Sequence, residues 1–233
     1  MVIQSDPNRE MLLLAIAHLG PFLDEIALLG GAAVGLLLTD PGAAPVRATL
    51  DLDVIIEIGS YPEYLVLEER LRALGFRQSP EDAIVCRWRI SRLVIDIMPS
   101  NENILGFGNR WYSAALQNAV WVDIGSKRVR VVTGPFFLAT KLEAFHSRGQ
   151  GDYLGSRDME DIIALVDGRP ELAAEVQQSD PNLMSYLRAE ISDLLSSTEF
   201  VEAIPGHLLP DEASQQRRTQ ILERLQTIVE SVL

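Results

Sequence analysis

The 233-residue chain has a single cysteine, Cys86. That excludes a disulfide framework within the chain and any zinc site built on several thiolates. Cations are scarce as well: 20 Lys and Arg against 33 Asp and Glu give a formal net charge of −13. A molecule of that charge repels nucleic acid as a whole, which disfavours a plain DNA-binding module and leaves room only for a local basic strip. Long apolar runs are missing too. The longest, Ile26 to Leu38, is interrupted by Gly30, Gly31 and Gly35 and falls short of the ~20 residues that span a bilayer. The opening MVIQSDPNRE carries neither the basic nor the apolar region of a signal peptide. Repeats and low-complexity tracts are absent. Together these absences predict a cytoplasmic protein with no membrane segment. What is present is ordinary for a globular chain, 47% hydrophobic and 23% charged, which argues against intrinsic disorder.

The pattern divides in two. Up to Thr133, strand and helix signals alternate; from Gly134 nearly everything reads as helix. Ser5-Asp6-Pro7 has the form of a helix start, with Met11, Leu12, Ala15, Ile16 and Leu19 following at helical spacing. Glu25 to Leu29 reads as a buried strand, broken by Gly30-Gly31, and Ala32 to Leu38 as a helix. Asp51 to Ile58 is the clearest strand, rich in β-branched residues. Tyr61 to Leu74 is an amphipathic helix closed by Gly75. Two strands, Ala83 to Ile90 and Leu93 to Met98, are joined tightly at Ser91-Arg92. A short helix spans Trp111 to Leu116, and Gly125-Ser126 marks a hairpin between Val120–Ile124 and Arg128–Val132. The helical half runs through about 135–148, 157–166, 171–178, 181–196 and 213–233. In the last of these Ile221, Leu222, Leu225, Ile228, Val229 and Val232 form one stripe. The predicted class is α+β: a mixed sheet with flanking helices (1–133), then a helical domain (134–233) completing a cleft.

The chemistry lies in acids at strand positions. Asp51 and Asp53 are two apart on a strand and leave the same face. Asp96 stands among Val, Ile and Met in another strand, where an isolated carboxylate is costly without a counter-charge. Three such acids suggest a site for a hard divalent ion, Mg²⁺ or Mn²⁺. The plainer alternative is that Asp51 sits near solvent and Asp96 pairs with an arginine. Gly30-Gly31, between strand and helix, lets a ligand approach the backbone, although such a pair at a tight turn more often serves packing.

The order of these features resembles the polymerase-β-like nucleotidyltransferase superfamily: LLGGAAVGLLLTD, then RATLDLDVII, then LVIDIMP. The motif Arg47-x-Thr49-x-Asp51-x-Asp53 is similar to that of the AbiEii/MenT-type nucleotidyltransferases, many of them toxins of toxin–antitoxin pairs. The likeness continues through Lys141-Leu-Glu-Ala144, Arg148 and Arg157-Asp158-x-x-Asp161, so it covers roughly Ile26 to Val166. It departs from that pattern at Ala32 and Ala33, where many relatives have a phosphate-binding Ser or Thr. The resemblance implies that Asp51, Asp53 and Asp96 are catalytic and metal-binding. It implies that Gly30, Gly31, Arg47, Thr49, Lys141, Arg148 and Asp158 bind nucleotide. Without the upstream motif, Lys141, Arg148 and Asp158 would read as an ordinary ion-paired helix face.

The expected activity is transfer of a nucleoside monophosphate from an NTP to an acceptor hydroxyl, with release of pyrophosphate. The resemblance points to the 3′ end of tRNA as acceptor and to an antitoxin protein as partner. The low cation content points instead to a small molecule or a protein hydroxyl. A non-catalytic nucleotide- or antitoxin-binding protein is the remaining class, and three costly acids weigh against it. Cations that could track RNA are Arg47, Arg110, Lys127, Arg128, Arg130, Arg148 and Arg157, densest at 127–130. Asn109-Arg110-Trp111-Tyr112 could line the site, and Cys86 reads as a buried thiol. Arg217, Arg218 and Arg224 read as a solvated strip on the last helix.

Overall fold

The computed structural model describes residues 6–82, 84–149 and 151–230. Ser5, Ala83 and Val232, which figure in the sequence reading, lie outside the described residues. The chain divides into two compact units. The first holds the described residues through Leu36 together with Arg47–Thr133, and the second holds Leu37–Val46 together with the residues from Gly134 onward.

The first unit is built on a six-stranded mixed sheet. Its strands are β1 (Ile26–Leu29), β2 (Leu52–Ile56), β3 (Arg87–Ile90), β4 (Leu93–Pro99), β5 (Val120–Ile124) and β6 (Lys127–Val131), in the order β3-β4-β2-β1-β6-β5. β2 runs antiparallel to β1 and parallel to β4, β1 is parallel to β6, and the outer pairs β3/β4 and β5/β6 are antiparallel hairpins. The β3–β4 turn places Ser91 in the left-handed region, φ 53°. β1 is buried at every residue, and one face of β2 and β4 supplies Leu52, Val54, Ile95 and Ile97 to the core. The helices of this unit are α1 (Arg9–His18), the single turn α2 (Val34–Leu37), α3 (Tyr61–Ala73) and α4 (Tyr112–Gln117). α3 begins as its sequence suggests, with Ser60 Oγ accepting the Glu63 N–H and a proline in its first turn.

Three sequence expectations are corrected here. α1 begins after Asn8 rather than at the Asp6-Pro7 cap: Asp6 Oδ1 accepts the Asn8 N–H at 2.8 Å, and the Asn8 side chain is committed elsewhere. The strand expected from Ala83 starts only at Arg87, because Val85 and Cys86 form a turn. The helix expected over Ala32–Leu38 is a 3-10 turn, Gly31–Ala33, followed by α2.

The second unit is helical: α5 (Gly134–Ala144), α6 (Arg157–Gly168), α7 (Leu172–Gln177), α8 (Pro181–Ser196), α9 (Thr198–Ala203) and α10 (Glu212–Glu230). α5 is buried from Gly134 to Leu142 and packs on α6, α7 and α8, while α10 lies along α6, α7 and α8. A π-helical turn, Phe145–Gly149, follows α5. Segment 37–46 is strapped to α6, since the Thr39 and Asp40 N–H groups both donate to Gly168 O at 2.8 and 2.9 Å. Arg217 reaches Asp40 and Asp167 at 2.7 Å each, and Arg224 donates to the Val166 carbonyl at 2.9 Å. Arg217 and Arg224 are therefore largely buried clamps rather than a solvated strip, with side chains 19% and 15% exposed.

Candidate functional site

The register of the sheet assembles the acids. In the parallel pairing of β2 and β4, Asp53 stands opposite Asp96. In the flanking antiparallel pairs, Asp53 faces Leu29 and Asp96 faces Arg87. Residues opposite one another share a face of the sheet. Leu29, Asp53, Asp96 and Arg87 thus form one row across four strands, and Asp51, two residues before Asp53, leaves the same face.

Arg87 is the centre of the charge arrangement. Its Nε donates to Asp96 Oδ1 at 2.8 Å and its Nη2 to Asp96 Oδ2 at 2.8 Å. The same Nη2 donates to Asp51 Oδ2 at 2.6 Å. One guanidinium therefore spans a carboxylate of β4 and one just before β2, and it is the arginine partner expected of an Asp96 buried among Val and Ile. Cys86, adjacent to Arg87, is a buried thiol as expected. Burial, with Asp96 and Asp53 nearby, pushes its ionisation up to about 12, so it is an inert filler.

The glycine turn abuts the same row. Gly30, directly after Leu29, has φ +71°, and a Cβ there would lie 1.9 Å from Asp53 Oδ2. A Cβ on Gly31 would lie 2.5 Å from an Arg47 guanidinium nitrogen and 2.8 Å from the Thr49 methyl. The two glycines therefore let Asp53, Arg47 and Thr49 close directly on backbone. Ala32 and Ala33 are fully buried, so the hydroxyl missing at these positions is replaced by packing.

Segment 47–49 is pinned by Asn8, which is 1% exposed. Its Nδ2 donates to the Arg47 carbonyl at 3.0 Å, and its Oδ1 accepts the Thr49 N–H at 2.8 Å. Thr49 Oγ1 donates in turn to the Asp51 carbonyl at 3.1 Å. Sequence reasoning singled out neither Asn8 nor Arg87. For Arg87 a signal existed: a tight turn at Ser91-Arg92 pairs Ile90 with Leu93, and counting outward puts Arg87 opposite Asp96. Asn8 left none, because its partners lie 39 and 41 residues away. Of the 109–112 segment, Asn109 caps its own turn by accepting the Trp111 N–H, and the Tyr112 hydroxyl meets Met98 Sδ at 3.2 Å.

Lys141, Arg148 and Asp158 meet in the second unit. Lys141 Nζ lies 3.0 Å from Asp158 Oδ1 and 2.6 Å from Asp161 Oδ2, and Arg148 Nε donates to Asp158 Oδ2 at 2.7 Å. The two cations thus converge on one acid, although Arg148 lies in the π-helical turn after α5 rather than two α-helical turns along the same helix. Asp161, absent from the expected nucleotide-binding set, is an equal member of the cluster.

The carboxylate oxygens of Asp51, Asp53 and Asp96 are the donor type that a hard divalent cation takes. Among the described residues, no three His, Cys, Asp or Glu side chains converge on a common point able to hold a metal ion. In the arrangement observed it is Arg87 that spans Asp51 and Asp96.

Compared by sequence, the chain matches no protein-family model and none of the curated proteins. Compared by structure, it is similar to a crystal structure described as an antigenic nucleotidyltransferase-like protein from Paracoccidioides brasiliensis, with a TM-score of 0.51 and 18% identity. The match covers 86% of this chain and 92% of the other. The fold is nucleotidyltransferase-like. Among the described residues, no helix is long and apolar enough to cross a membrane.

Proposed function

We propose that the chain is a metal-dependent nucleotidyltransferase that moves a nucleoside monophosphate from an NTP to an acceptor hydroxyl and releases pyrophosphate. The observation carrying this reading is the carboxylate row closing on the glycine turn, with Asp53 beside Asp96 in register and against Gly30. The shared nucleotidyltransferase-like fold supports it. Asp51, Asp53 and Asp96 would hold Mg²⁺ or Mn²⁺. Such an ion supplies charge stabilisation to the phosphoryl oxygens of an in-line displacement. Gly30 and Gly31 leave the backbone open to phosphate, and Arg47 offsets triphosphate charge. Asp96 orients the acceptor hydroxyl and takes its proton as the oxygen attacks the α-phosphorus and the bond to pyrophosphate breaks. Lys141 and Arg148 receive a role toward the triphosphate from the motif resemblance alone; within their own unit both are ion-paired to Asp158.

The motifs resembling the AbiEii/MenT type favour the tRNA 3′ end as acceptor, in a cytoplasmic toxin held by an antitoxin protein. A net charge of −13 favours a small molecule or a protein hydroxyl instead. The basic hairpin offers partial relief: Lys127 and Arg128 are exposed, but Arg128 leans toward Asp123 at 3.5 Å and Arg130 donates to the Leu116 carbonyl. Incubation with each α-labelled NTP, Mg²⁺ and separate tRNA, protein and small-molecule pools identifies the acceptor. Label in the tRNA pool, lost when Lys127, Arg128 and Arg130 are changed to Glu and falling with salt, supports the RNA reading. Label in another pool replaces it.

A further inference from the structure

We infer that Arg87 is a resident counter-cation of the carboxylate row, given up only when a metal–nucleotide complex arrives, so that the site selects that complex over the free ion. This rests on the transferase reading above and concerns how the same site is gated. Arg87 occupies the first residue of β3, an edge strand of the sheet, next to a turn in which Val85 is exposed. Its side chain can therefore withdraw without disturbing the interior strands. While in place, its fork engages both oxygens of Asp96 and one of Asp51. That offsets one of the two negative charges and screens carboxylates which, with Asp53 alongside, would otherwise repel one another.

The consequence follows from exchange of partners. A bare divalent ion that takes Asp51 and Asp96 evicts the guanidinium and leaves it with water. An ion arriving with a triphosphate brings phosphate oxygens that match the planar fork of arginine as well as a carboxylate does. The nucleotide thus replaces what Arg87 loses, and metal and nucleotide bind as a unit. Arg87 is in this sense a positioning residue, acting through Asp51 and Asp96 rather than on the reacting atoms.

The test is the Mn²⁺ held by the full chain at equilibrium dialysis, with Mn²⁺ alone and with each of the four ribonucleoside triphosphates on both sides of the membrane, so that only protein-bound metal is counted. Wild type should bind Mn²⁺ weakly alone and tightly with nucleotide. Arg87→Met should bind Mn²⁺ alone about ten-fold more tightly than wild type, and the gain from nucleotide should shrink correspondingly, because the competing charge-assisted contacts are gone. Adding Asp96→Asn should cancel that gain. Arg87→Lys, which keeps the charge and loses the fork, should fall between and serves if the methionine variant does not fold. Equal Mn²⁺ affinity in wild type and both variants, with nucleotide enhancing all alike, overturns the inference and leaves the transferase reading standing. No Mn²⁺ binding by wild type with any of the nucleotides overturns that reading, and the inference with it.

Discussion

Two charge clusters of this protein use the same residue types to opposite ends. On the sheet of the first unit, one guanidinium spans two acids, and the Arg87, Asp51 and Asp96 side chains are 18%, 37% and 10% exposed. In the helical unit, the exposed Arg148 and the 9%-exposed Lys141 face Asp158 and Asp161, whose side chains are only 4% and 2% exposed. A charge that deep cannot lose its partner to water cheaply, whereas one at the mouth of a sheet can exchange partners. On the reading proposed above, the helical cluster stays closed and the sheet cluster is opened by the arriving ligand.

That contrast is sharpest in stability. Asp161→Asn takes one carboxylate from Lys141 in a dry setting and should cost about 1.5–3 kcal/mol, read from urea unfolding. The corresponding removal on the sheet, Asp51→Asn, should cost no more than about 1 kcal/mol, because its partner keeps Asp96 and the pair is wet. Equal costs would erase the distinction. Gly30→Ala comes next: with φ +71° and a Cβ 1.9 Å from Asp53 Oδ2, the turn must deform. We expect a loss of about 1–3 kcal/mol together with loss of NTP binding. Full NTP affinity in that variant would detach the turn from the site. Asn8→Ala strands the Thr49 N–H, which should cost about 1–3 kcal/mol. It should weaken NTP binding while leaving the Lys141 cluster untouched. The smallest effect is that of acid. Burial opposes ionisation of Asp158, but Arg148 and Lys141 outweigh it and hold the carboxyl below its ordinary range. A depressed folded value gives stability that is complete above the unfolded value of about 3.9 and is lost as pH falls through the folded one. The urea midpoint should therefore drop as pH falls below about 4, and drop less in Asp158→Asn.

The sequence made the strands legible where β-branched residues alternate, as in Asp51 to Ile58, observed as Leu52–Ile56. It also revealed the acids and the glycine turn, because Asp among Val and Ile and a glycine pair after an apolar run are unusual choices. Register was less accessible. That Asp53 stands opposite Asp96 depends on a parallel crossover that no local pattern encodes. The Arg87 partnership was countable from a hairpin, yet Arg87 reads locally as one more outward charge of an edge strand. α9 escaped notice because its only signal is the Ser197 cap on Phe200, within a stretch without apolar period. Arg217 and Arg224 looked solvated because their partners, Asp40 and the end of α6, are remote in sequence. Helix faces and strand faces are written locally, but the partners of buried charges are not.

The measurement that bears most directly on the central claim follows the two ends of the triphosphate separately. NTP labelled at the α-phosphate or at the γ-phosphate is incubated with the protein, Mg²⁺ and a cell-derived acceptor pool, using wild type and Asp53→Ala. The account predicts that α-label joins the acceptor while γ-label leaves as pyrophosphate, and that both events vanish in Asp53→Ala. Transfer of the γ-label, or α-transfer unchanged in Asp53→Ala, would contradict it.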